Sequence, residues 1–66
     1  MKIYVVHSDM LEDGTNFDNL TDEQVEELYC KDDFLVNLFN SWDEFVANWN
    51  QGTIFDPDFS YIRVIE

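Results

Sequence analysis

Basic residues are scarce in this chain. Lys2, Lys31 and Arg63 are the only ones, and they stand far apart. Binding to nucleic acid or to anionic membranes runs on Lys and Arg that neutralise phosphates. No direct contact with DNA, RNA or a membrane is therefore expected. Cysteine is limited to Cys30, so no internal disulfide can form. Small secreted domains normally rely on such staples, so a cytoplasmic setting is expected. One Pro and two Gly exclude a low-complexity linker. No segment approaches the roughly 20 apolar residues of a membrane span. The apolar run from Ile3 to Val6 ends at His7 and is too short for a signal-peptide core. A strand pattern follows Met1 directly, so no targeting segment is expected before the fold.

What is present pulls in two directions. Of the 66 residues, 45% are hydrophobic and 17% aromatic. That is too apolar for a disordered acidic tail. Yet fifteen Asp and Glu give a net charge of −12. A chain this short makes one small domain and buries only about 60% of its unfolded surface. A foldable core inside a strongly negative shell calls for a basic partner or a cation.

The pattern along the chain predicts five elements. Residues 2–7, Lys-Ile-Tyr-Val-Val-His, read as a strand. Residues 8–19 carry loop chemistry, with a tight turn at Asp13-Gly14 and Met10, Leu11 and Phe17 available to pin it. Thr21 and Gln24 fit a capping box, and Leu20 with Val25 a hydrophobic staple, so a helix is expected over 22–31. Glu27 and Lys31 are spaced for an i,i+4 pair on it. Residues 34–39 read as a second strand, buried on both faces except near Asn37. Ser41 and Glu44 fit another capping box. Trp42, Phe45, Val46 and Trp49 make one helical stripe, and Gly52 a C′ glycine, so a second helix covers 42–51. Both tryptophans are expected in the core. Asp56-Pro57-Asp58 is a turn, and residues 60–65 form a last strand. The expected fold is α+β, in β-α-β-α-β order: a three-stranded sheet with both helices against one face.

Motifs for chemistry are missing. No GxSxG, HExxH, CxxC or Walker pattern occurs. His7 and Cys30 could in principle pair as base and nucleophile, but they read instead as a strand-end histidine and a helix-packed thiol, since a free Cys is among the most buried residue types. An EF-hand loop starting at Asp9 would place Gly14 correctly. It would also put Leu11 and Leu20 where oxygen ligands are needed. Asp56 and Asp58 read as a solvated turn. No catalytic residue, metal or cofactor is expected.

The acids themselves remain. With Val25, Leu28 and Tyr29 facing inward, Asp22, Glu23, Glu26 and Glu27 share the outer side of the first helix, and Asp32 and Asp33 follow it. Neighbours on a helix face lie about 5–6 Å apart, a scale comparable to the roughly 3.4 Å phosphate repeat of one DNA strand. Such a face can present carboxylates to a protein that expects phosphates. Asp43, Glu44 and the loop acids Asp9, Glu12, Asp13, Asp18, Asp56 and Asp58 could extend it. The bland alternative is a solvated face, with acids at helix starts favoured by the macrodipole. Adaptation to salt would also raise acidity, but the aromatic content argues against it. One of Phe34, Phe39, Phe55 or Phe59, left exposed among carboxylates, would anchor a basic partner.

Four segments carry a resemblance: Lys2-Ile3-Tyr4-Val5-Val6, Leu20-Thr21-Asp22-Glu23-Gln24, Ser41-Trp42-Asp43-Glu44-Phe45 and Tyr61-Ile62-Arg63-Val64-Ile65. The chain resembles small acidic proteins of bacterial phages and conjugative elements. It is similar in character to DNA-mimic inhibitors of host defence, namely antirestriction proteins of the ArdA kind and some anti-CRISPR proteins. The likeness to ArdA lies in the strand-like start and the acidity. This chain is shorter and has no repeated domains, so no restriction target carries over. The resemblance implies a phage or mobile-element inhibitor in the cytoplasm of a bacterial host. It would bind a basic nucleic-acid-handling protein, such as a nuclease or a CRISPR or restriction complex, and block its DNA or RNA site. The expected partner-binding residues, from the helix-face argument, are Asp22, Glu23, Glu26, Glu27, Asp32 and Asp33. The alternative is a small acidic protein–protein interaction module, or a homodimer, whose charge only keeps it dissolved.

Overall fold

A computed structural model describes residues 1–66. Strand β1 (Lys2–His7) is followed by helix α1 (Asp22–Lys31), strand β2 (Val36–Phe39), helix α2 (Trp42–Asn50) and strand β3 (Ser60–Ile65). This is the expected β-α-β-α-β order of a small α+β domain. Short 3-10 turns at Ser8–Met10, Phe17–Asn19 and Pro57–Phe59 shape the connections. The sheet order is β2-β1-β3, with both pairings antiparallel. The first strand is thus the central one. Tyr4 stands opposite Leu38 on one side and Arg63 on the other.

The two helices lie on opposite faces of the sheet, not on one face as the sequence suggested. Side chains alternate along a strand, and in β1 both sets are buried. Ile3 and Val5 pack with Phe39, Phe45 of α2 and Ile54. Tyr4 and Val6 pack with Phe17, Val25 of α1 and Val36. A strand with apolar residues on both pleats needs cover on both sides. One helix goes to each. The long loop also joins the α1 layer, because Met10, Leu11 and Leu20 pack there.

Local chemistry fixes the helix ends. The Thr21 hydroxyl accepts the Gln24 N–H at 3.1 Å, and the Gln24 side chain accepts the Thr21 N–H at 2.8 Å. The capping box of α1 is complete. That of α2 is only half formed. The Ser41 hydroxyl accepts the Glu44 N–H at 3.2 Å, while the Glu44 carboxylate turns to the Asn40 N–H at 3.5 Å. Helix α2 stops at Asn50, and Gly52 follows with φ +70°, a left-handed value that favours glycine at C′. Gly14, at φ +85°, makes the turn after Asp13, closed by the Thr15 N–H on the Glu12 carbonyl. Strand β2 starts two residues later than expected. Asp32 explains this, because its carboxylate accepts the N–H groups of Phe34 and Leu35 and holds them in a turn.

Candidate acidic interface

Ten of the fifteen acids belong to the segment that forms the α1 layer. Asp9, Glu12, Asp13 and Asp18 lie on the loop, Asp22, Glu23, Glu26 and Glu27 on α1, and Asp32 and Asp33 after it. Residues 45–55, by contrast, contain no charged residue and include most of α2. The α1 acids Asp22, Glu23, Glu26 and Glu27 lie on one side of the sheet, Asp9 sits against His7 at the end of β1, and α2 carries acids only in its first turn, Asp43 and Glu44.

The six expected partner-binding acids divide into two sets. Three are engaged. Asp22 accepts from the Arg63 guanidinium at 2.9 Å, and the same Arg63 donates to the Phe17 carbonyl and lies over the Phe17 ring. Glu26 pairs with Lys2 at 3.8 Å. Asp32 caps the turn before β2. Glu23, Glu27 and Asp33 are exposed and take no part in an ion pair. Glu27 and Lys31 do not close the i,i+4 pair that their spacing allowed. Both line a cavity of about 330 Å³ between the loop and α1, with an apolar floor from Met10, Leu11, Leu20 and Leu28.

Aromatic exposure agrees with the sequence reading for the phenylalanines and corrects it for the tryptophans. Phe39 is buried, whereas Phe34 is 68% and Phe59 64% exposed. Phe34 stands directly after Asp32 and Asp33, and its ring meets Phe55 at 5.1 Å. Trp42 and Trp49, expected in the core, are 49% and 40% exposed. Only Phe45 of the α2 stripe is buried. A three-stranded sheet is too narrow to cover the whole stripe.

His7 and Cys30 do not meet as base and nucleophile. His7 is buried at the end of β1 and packs, tilted by 54°, against the Phe55 ring at 5.0 Å. Its Nδ1 accepts the Asp9 N–H at 3.0 Å, which leaves Nε2–H to donate to Asp56 at 3.3 Å. Asp56 holds a left-handed φ of +42° just before Pro57, a conformation Asp tolerates better than most residues. Cys30 lies across the sheet on α1 and is exposed, not packed as a buried thiol. Beneath α1, burial raises the pKa of the Tyr4 phenol. The negative charge of Glu26 adds to this, as do Cys30 and Tyr29. No group of His, Cys, Asp and Glu side chains is arranged to hold a metal ion. No helix is long and apolar enough to cross a membrane.

The geometry can attract and orient a cationic surface, with Phe34 as an apolar anchor beside Asp33. The sequence identified the α1 acids from helical spacing. It missed their engagement by Arg63 and Lys2, because those cations come from distant strands. No protein-family model, curated protein or solved structure matches the chain.

Proposed function

We propose that the protein is an acidic inhibitor that docks its α1 layer on a basic nucleic-acid-handling protein and blocks the DNA or RNA site. The concentration of ten of the fifteen acids in residues 9–33, four of them along α1, carries this reading. A charge excess serving only to keep the protein dissolved needs no such concentration. A mimic of a phosphate backbone does. Unpaired Glu23, Glu27 and Asp33 supply the contacts. Phe34 adds an apolar anchor of the kind that dominates interface energies. Asp22 and Glu26 contribute to the field while paired to Arg63 and Lys2. Association steered by such a field is fast and weakens with salt.

Capture from a bacterial lysate on the tagged protein tests the reading. A basic DNA- or RNA-binding protein should be retained, released by moderate salt and displaced by duplex DNA. The triple variant Glu23→Lys, Glu27→Lys, Asp33→Lys should lose it. Asp43→Lys, Asp58→Lys, Glu66→Lys makes the same change in net charge away from the layer and should keep it. Equal capture by both triple variants, or a partner indifferent to salt and DNA, would overturn the assignment.

A further inference from the structure

The face opposite the acids carries its own apolar surface. Trp42, Val46 and Trp49 of α2 and Ile62 of β3 are each between 40% and 49% exposed. Phe45, Val46, Trp49 and Ile62 line a groove of about 230 Å³ between the helix and the strand, with no charged residue among them. The groove reaches β3 at Ile62, and β3 is an outer strand of the sheet. All six residues of Ser60–Ile65 are free of acids, and no Pro interrupts them. Outer strands normally carry protection against pairing with another chain, such as Lys, Pro, a bulge or extreme shortness. The other outer strand, β2, is only four residues long. Strand β3 has an Arg63 that is turned inward to Asp22 and Phe17. Its flank is open.

We infer that two copies of this chain pair through β3, edge to edge and antiparallel about a two-fold axis, with the α2–β3 grooves of both copies meeting over the new strand pair. The inference does not rest on the inhibitor reading.

Charge selects this surface for a second copy. Two chains of net charge −12 repel each other wherever acids face acids. The strand residues Ser60–Ile65 and the 45–55 segment carry no acid, so the repulsion left in the pair is confined to Glu66 of one copy near Asp58 of the other. In the paired sheet, the two β1 strands are separated by three strand spacings, about 14 Å. That exceeds the Debye length of about 8 Å at physiological salt, so the two α1 layers are largely screened from each other. Area is sufficient as well. Half-exposed Trp, Val and Ile side chains offer on the order of 400 Å² per copy, and two copies supply the apolar centre of a standard interface near 1,600 Å².

Sedimentation equilibrium of the whole chain tests the pairing. At about 100 μM a mass near twice 7.9 kDa is expected, falling to the single-chain mass on dilution. Dimer should increase from 50 to 500 mM NaCl, because salt screens the residual repulsion and strengthens apolar contact. Binding through the acids has the opposite salt dependence. Ile62→Glu should weaken dimerisation at least about tenfold, and so should Trp49→Gln, which alters the groove without adding charge. Cys30→Ser, on α1 across the sheet from the groove, should leave it unchanged. Circular dichroism establishes that each variant is folded. A single-chain mass at every concentration and salt would overturn the inference. So would a dimer that survives both Ile62→Glu and Trp49→Gln.

Discussion

Tyr4 links the core to the acidic layer. Its side chain lies under α1, edge-on to Tyr29 at 5.9 Å, and its pKa is raised first by burial and then by Glu26. The phenol is neutral when protonated, so the folded state holds this proton more tightly than the unfolded chain. The resulting stability is present below the unfolded value of about 10 and is lost as pH rises through the folded value. Urea unfolding across that range should show stability falling above pH ~10, more steeply in the wild type than in Tyr4→Phe. Identical alkaline slopes would remove Tyr4 from this role. Burial of this residue was legible from its place in a β-branched run. The charge around it was not, because Glu26 and Cys30 arrive from a helix that the sequence reading put on the same face of the sheet as α2. His7 is similar. A strand-end position was readable, but its partner Asp56 is 49 positions away.

At the scale of elements, the local signals were strong and the pairing signals weak. Helix α1 spans Asp22–Lys31 and β3 spans Ser60–Ile65, the ranges that capping and β-branched runs implied. Removing the cap hydroxyl with Thr21→Ala should cost about 1 kcal/mol, read as a lower urea midpoint with an unchanged slope. A loss near zero would mean that tertiary packing of Val25 and Leu28 alone sets the helix start. The placement of the helices went wrong for a physical reason. Ile3-Tyr4-Val5-Val6 alternates nothing, so it demands two covered faces, and a single face leaves one pleat bare. The stripe on α2 misled differently. Period 3.6 reports which residues share a side of a helix, not whether enough sheet lies beneath them. Trp42, Val46 and Trp49 share a side and overhang the narrow sheet.

Across the whole molecule, the acidity was plain in composition, but its direction needed the fold. Once the loop packs Met10, Leu11 and Leu20 against the α1 side of the sheet, the acids of α1 gain loop acids such as Glu12 as neighbours. Arg63 and Lys2 each tie one of them from the sheet, which no spacing in the sequence announces. Crowding like charges on one side opposes folding through self-repulsion. Thermal unfolding should therefore shift upward between 10 and 500 mM NaCl. Glu23→Gln, which removes one unpaired charge, should shrink that shift. A melting temperature independent of salt would show that the acids are too well solvated to strain the fold.

The central position of β1 also bears on how the chain is made. The strand that both others flank is synthesised first, and β3, which pairs with it from Lys2–Ile65 to His7–Ser60, comes only after both helices. For most of synthesis, an apolar ribbon of Ile, Tyr and Val has an open flank and invites any other strand. The carboxylates of residues 9–33 emerge directly behind it and act as gatekeepers. The charge that marks the finished protein would then also oppose pairing between its unfinished copies.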